Sequence, residues 1–158
     1  MIQITPVDYN NRQHTATLID LLDAYARDPM GGGQPLSDFA RCHIIAGLIK
    51  HQGISLLAFV SQKPAGLLNA FTGFSTFAGK PLINIHDVAV LPEFRGQGIS
   101  QQLLQNIEGI AREQGCCKLT LEVLSGNKIA ASAYQKFGFS GYQLDPQAGR
   151  AEFWEKKL

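Results

Sequence analysis

The stretch Val88-Ala89-Val90-Leu91-Pro92-Glu93-Phe94-Arg95-Gly96-Gln97-Gly98-Ile99-Ser100 is an apolar strand that stops at a proline and a two-glycine turn that opens a helix. The helix predicted over residues 99–114 carries Leu103, Leu104, Ile107, Ile110 and Ala111 on one face, with Gly115 placed as its stop. The first N–H groups of a helix lack intrahelical acceptors and stand at the positive end of its dipole. Glycines let a phosphate approach that backbone closely, so the turn reads as a pyrophosphate cradle. A two-glycine turn also serves as a plain connector. A P-loop would end Gly-Lys-Ser/Thr, and no lysine follows Gly96 or Gly98. A dinucleotide fingerprint needs a third glycine where Gln101 stands.

Upstream of this stretch, residues 82–91 form the strand itself. Apolar runs over 54–60 and 65–76, separated by turn residues at 61–64 and 79–81, predict an antiparallel meander. A short first strand is expected over 2–7. A helix over 15–27 carries Leu18, Ile19, Leu22 and Tyr25, with Thr15 or Thr17 as its cap. The loop Asp28-Pro29-Met30-Gly31-Gly32-Gly33-Gln34-Pro35 breaks it, and Ser37 caps a second helix that closes near Gly53. Downstream, Leu119, Leu121 and Val123 alternate in a strand over 118–124, followed by a helix over 128–137 ended by Gly138. Strands are expected over 139–144 and 151–157. The helical crossover between the strands at 82–91 and 118–124 requires parallel pairing. The fold class is α/β, with a mixed sheet.

The chain has 158 residues, which suits one domain over 1–158. Hydrophobic residues make up 45% and charged residues 17%, which excludes a disordered chain. A net charge of +1 gives no case for nucleic acid or an anionic membrane as partner. Cys42, Cys116 and Cys117 show neither metal-ligand spacing nor a paired disulfide pattern, so no metal is expected and reduced thiols in the cytoplasm are. The N-terminus lacks a basic region and a long apolar run, so no signal peptide is expected, and no run reaches membrane-spanning length.

Arg95-Gly96-Gln97-Gly98-Ile99-Ser100 resembles motif A of the GCN5-related N-acetyltransferase (GNAT) family, Q/R-x-x-G-x-G/A, with Ser100 where the pattern has Gly or Ala. Asn127-Lys128-Ile129-Ala130-Ala131-Ser132-Ala133-Tyr134-Gln135-Lys136-Phe137-Gly138-Phe139 resembles motif B, N-x-x-A-x-x-x-Y-x-x-x-G-F. One helix and one strand separate the two, as in the family, and the likeness covers roughly residues 82–142. It implies a mostly antiparallel central sheet with a splayed parallel pair and helices on both faces. It also implies acetyl-CoA as co-substrate and a primary amine as acceptor. By position, Val88, Ala89 and Val90 would line the pantetheine arm, and Arg95, Gly96, Gln97, Gly98, Ile99, Ser100 and Gln101 the pyrophosphate. Asn127 and Ala130 would face the cofactor, and Tyr134 would sit near the thioester sulfur.

Attack of an amine on a thioester needs a neutral nucleophile, a polarised carbonyl and a proton for the departing thiolate. A thiol titrates near 8.5 and a phenol near 10, so Tyr134 suits the general acid; packing under Phe137 is its structural alternative. The family motif gives no fixed base position. His86 and Asp87 are expected on opposite faces of the strand; as base, His86 is preferred to Asp87 or a water chain, because histidine ordinarily titrates near 6.5, and a hydrogen-bonded structural histidine is its alternative. Asp87 then anchors a loop or holds the cationic acceptor, and Asp28, in the glycine loop, is a second substrate-binding candidate. A small-molecule amine is the expected partner, and a homodimer is compatible with the family. The alternative function is a non-catalytic acyl-CoA-binding or regulatory module on the same fold.

Overall fold

The computed structural model describes residues 1–158 and divides into two compact units, Met1–Leu121 and Glu122–Leu158. The first contains a five-stranded sheet: β1 (Ile2–Pro6), β2 (Ile54–Val60), β3 (Lys63–Ser75), β4 (Lys80–Val90) and β5 (Leu119–Leu121), in that spatial order. The pairs from β1 to β4 are antiparallel and β4–β5 is parallel. Helices α1 (Arg12–Arg27), α2 (Asp38–Lys50) and α3 (Ile99–Glu113) complete this unit.

Strand alternation separates two apolar layers. Leu57 and Leu67 pack with Leu18 and Leu21 of α1 and Leu48 of α2. Leu56, Leu68, Ile83 and Ile85 point to the opposite face, where α3 buries Ile99, Leu103, Leu104, Ile107 and Ala111. Each of these leucine and isoleucine side chains contributes about 1.5–3 kcal/mol when withdrawn from water. The sheet is therefore sandwiched, with the start of α3 anchored by Ile99, which is 1% exposed.

Several boundaries differ from expectation. Asn11, rather than Thr15 or Thr17, caps α1, its side chain accepting the N–H groups of Gln13 and His14 at 2.9 and 3.3 Å. Ser37 caps α2 as its residue type predicts, accepting from Ala40 N–H at 3.1 Å. The β2–β3 turn is tighter than the turn-forming run 61–64 suggests. Ser61 and Gln62 adopt φ of 48° and 68°, the two-residue geometry that matches strand twist, so the ladder closes at Val60–Lys63.

The largest local departure lies in β4. A register shift between β3 and β4 falls at Asn69/Ala70, opposite Asp87 and Ile85, so His86 is an extra residue in the ladder. Before this bulge, Ile83 N–H points to β5, donating to Lys118 C=O at 3.2 Å. Beyond it, Leu91 N–H points to β3, donating to Ala65 C=O at 2.8 Å. Alternation from Leu91 assigns Asp87 and Ala89 to β3, and the N–H and C=O groups of Val88 and Val90 to the other edge. The bulge thus reverses which residues face β5, and the parallel ladder ends at Ile85–Leu121. That is why β5 covers three residues rather than the seven expected over 118–124.

In the second unit, α4 (Lys128–Phe137) forms as predicted and ends at Gly138. The strands expected over 139–144 and 151–157 do not form. Ala151 N–H bonds Tyr142 C=O at 3.3 Å across a turn at Asp145, but no ladder follows. Alternating residues make a strand only when a partner accepts the backbone groups.

Candidate functional site

The bulge, the free edge of β4 and the turn into α3 form one continuous surface of backbone polar groups in the first unit. Past Ile85, Val88 and Val90 turn their N–H groups away from β3 with no β5 residue opposite them. Val90 C=O accepts Arg95 Nε at 3.0 Å, which leaves its N–H as the group Val90 offers. Pro92–Phe94 make a single 3-10 turn, and Gly96 and Gly98 follow at φ +78° and +80°. Those left-handed angles favour glycine. A Cβ at either position would meet nothing within 4 Å, so the loop surface is open to a bulky ligand.

Helix α3 has no side-chain cap, because its N-cap is Gly98. Its first backbone bond runs from Gln102 N–H to Gly98 C=O at 3.2 Å, leaving the N–H groups of Ile99 and Ser100 outside the helix ladder. Gln97 is exposed between the two glycines, whereas Ile99 turns its side chain into the core. The residues present therefore fit a pyrophosphate held by backbone donors.

Arg95 does more than open the loop. Besides Val90 C=O, it reaches Asp28 on the α1–α2 connection, Nη2 to Oδ2 at 2.7 Å. Asp28 Oδ1 accepts Met30 N–H at 2.9 Å, so both of its oxygens are engaged. The Arg95 hydrogen bond, then the Met30 N–H, hold the Asp28 carboxyl below the usual range. Asp28 is thus a clasp between the two loops.

His86 and Asp87 do not diverge to opposite faces, because the bulge interrupts alternation. His86 is exposed and meets Phe71 edge-on, with ring centroids 4.9 Å apart. Asp87 Oδ2 accepts Asn69 Nδ2 at 3.0 Å. Phe71 and Asn69 lie two residues apart on β3 and so share the α1–α2 face. Ala89 packs on that face as well. Tyr25 of α1 completes the cluster: burial, then the charges of Asp87 and Asp28, push its phenol above the ordinary value.

In the second unit, Asn127 caps α4, Oδ1 accepting Ala130 N–H at 3.2 Å. Tyr134 lies half-buried on α4 and meets Phe139 edge-on, with ring centroids 6.0 Å apart.

The sequence profile described as the Acetyltransferase (GNAT) family matches residues 18–139. The chain belongs to the GNAT acetyltransferase family. Streptothricin acetyltransferase of Streptomyces lavendulae is 37% identical over 87 residues, 55% of this chain and 46% of that protein. Thialysine N-epsilon-acetyltransferase of Bos taurus is 37% identical over 68 residues, 43% of this chain and 39% of that protein. The match thus spans less than half the length of these two curated relatives. Two solved structures share the fold: a probable acetyltransferase, with TM-score 0.78 at 22% identity, covering 99% of this chain and 96% of that one; and AAC(6')-Iy in complex with the bisubstrate analog CoA-S-monomethyl-acetylneamine, with TM-score 0.76 at 20% identity, covering 100% and 99%.

Within this GNAT chain, Tyr25 and Asn69 escape a reading by motif. Tyr25 reads as one apolar position of a helix face. Asn69 carries a visible signal, a lone amide inside the apolar run Leu67-Leu68-Asn69-Ala70. A polar residue there costs stability unless it is bonded.

Proposed function

We propose that the chain is an N-acetyltransferase, one domain over 1–158, that moves an acetyl group from acetyl-CoA to a primary amine of a small cationic molecule by direct attack in a ternary complex. The observation that carries this is the bulge-reversed edge of β4 running into two left-handed glycines and the uncapped start of α3. Acetyl-CoA, when bound, supplies an activated acyl group. The N–H groups of Val88 and Val90 orient the pantetheine arm and its thioester carbonyl, with Ala89 packed behind them. Gly96, Gln97, Gly98, Ile99, Ser100 and Gln101 hold the pyrophosphate, and Arg95 braces their loop.

His86 takes the proton from the acceptor ammonium at the exposed end of the bulge. Asp87 holds that ammonium, and Asp28, clasped to Arg95, shapes the wall of the acceptor pocket. Tyr134 gives a proton to the departing thiolate, a role supported by its place in the Asn127-to-Phe139 motif, with Asn127 and Ala130 beside the cofactor. The amine acceptors in the names of related proteins, streptothricin and thialysine, support a small basic substrate. No helix is long and apolar enough to cross a membrane. The proposed setting is the cytoplasm, with a homodimer as the assembly to check by light scattering.

The test is release of free CoA thiol from acetyl-CoA with sisomicin, streptothricin, thialysine and an aliphatic diamine. Turnover on any of these supports the proposal. Binding of acetyl-CoA without turnover on any amine favours a non-catalytic acyl-CoA module instead.

A further inference from the structure

Ser55 and Asn69 are the buried polar side chains of the core, 3% and 2% exposed. They stand opposite each other on the α1–α2 face of the sheet, Ser55 two residues before Leu57 and Asn69 two after Leu67. An aliphatic residue would fill either place without the need for a partner, so the partners matter. Tyr9, just after β1, brings its hydroxyl within 2.9 Å of Ser55 Oγ and 2.8 Å of Gly53 C=O. Ser55 Oγ lies 2.6 Å from Asn69 Oδ1, and Asn69 Nδ2 lies 3.0 Å from Asp87 Oδ2. The line runs from the end of β1 across β2 and β3 to β4, and it stops at the residue beside the bulge.

The direction of every bond follows from the chemistry of its ends. An ionised carboxylate accepts only, so Asn69 presents its amide N–H to Asp87. Its carbonyl then faces Ser55, which must donate. Ser55 Oγ is left to accept from Tyr9, whose one proton is shared with Gly53 C=O. All the donors therefore point toward Asp87, and each bond polarises the next. Burial raises the Tyr9 phenol above its ordinary value, an effect that the Ser55 bond offsets in part, so this end of the line stays protonated.

We infer that Tyr9, Ser55 and Asn69 are positioning residues that fix the Asp87 carboxylate for the acceptor amine. The inference rests on the acetyltransferase function proposed above. A carboxylate on a strand rotates about two side-chain bonds, and an acceptor held by it would share that freedom. Pinning Oδ2 from below removes the rotation and leaves one orientation for the rest of the group. The line is neutral, so it steadies the charge without competing for it.

The test uses the full chain with Ser55→Ala, Tyr9→Phe and Ser55→Thr, assayed with the most active amine of the panel above. Loss of one hydrogen bond in the line raises the acceptor KM about fivefold, with the acetyl-CoA KM unchanged. Ser55→Thr, which keeps the hydroxyl, restores the acceptor KM. Tyr9→Phe lies at the half-buried end and serves where Ser55→Ala fails to fold. A lower melting temperature with an unchanged acceptor KM, or equal rises in both KM values, overturns the inference.

A second readout does not depend on turnover. The side-chain amide signals of Asn69 in a 15N–1H correlation spectrum should move in Ser55→Ala and Tyr9→Phe, and move furthest in Asp87→Asn. If wild-type protein acetylates no amine while these signals move together, the proposed function falls and takes the acceptor role of Asp87 with it, and only the hydrogen-bonded line from Tyr9 to Asp87 stands. Amide signals indifferent to all three substitutions refute the line itself.

Discussion

Replacing Gly98 by alanine separates the conformational demand of the α3 turn from its ligand-binding role. Gly98 sits at φ +80°, and an added Cβ meets nothing within 4 Å, so the substitution introduces backbone strain without a clash. A left-handed L-residue costs about 1–2 kcal/mol. For a chain of this size each kcal/mol moves the melting temperature by about 3 °C, so unliganded Gly98→Ala should melt about 3–6 °C below wild type. Gly109→Ala, also in open space but inside α3, is the control and should gain about 0.5–1 kcal/mol. If the strained residue relaxes toward negative φ, the N–H groups of Ile99 and Ser100 turn with it. Losing one charge-assisted hydrogen bond of about 1.4 kcal/mol weakens acetyl-CoA about tenfold. At a concentration about a hundredfold above the wild-type Kd, ligand stabilisation falls from about 2.7 to about 1.4 kcal/mol. The thermal shift with acetyl-CoA should therefore shrink from about 8 °C to about 4 °C, while Gly109→Ala keeps the full shift. If the substituted residue instead keeps its φ, its Cβ still stands on the open surface where the phosphate approaches the backbone, so a Gly98→Ala protein that keeps the wild-type shift would refute the cradle.

Tyr134→Phe should lower kcat with the acetyl-CoA KM unchanged, measured by thiol release; an unaltered kcat removes Tyr134 from the proton pathway. His86→Ala should abolish the acid limb of the pH–rate profile, and a profile that keeps its shape excludes His86 as the base. Leu103→Ala, at a fully buried position of α3, should destabilise by about 2–5 kcal/mol in urea unfolding, and a loss below 1 kcal/mol would contradict the packing of α3 on the sheet. Because Arg95 depresses the folded-state value of Asp28, the clasp adds stability above the unfolded carboxylate value near 4 and loses it as pH falls through the lower folded value. Asp28→Asn should therefore flatten the acid end of the stability–pH curve, and an unchanged curve would show that the clasp contributes nothing in solution.

The amino-acid sequence by itself determined the order of elements from β1 to α4, the buried faces of α1 and α3, the stop at Gly138 and the two-glycine turn. These depend on periods of two and 3.6 and on residues with few allowed backbone angles, all of which act over short stretches. Family membership rests on the same local spacing. The site's directions were decided by tertiary structure. His86 is a bulge residue only because β3 and β4 fall out of register there, and that mismatch selects Val88 and Val90 as the outward groups. The Arg95–Asp28 clasp joins residues 67 apart, and the Asn69–Asp87 bond crosses strands. The expected strands at 139–144 and 151–157 miscarried for the same reason. A pleated alternation states which face a residue prefers, but a partner must supply the ladder, and no local pattern names the partner.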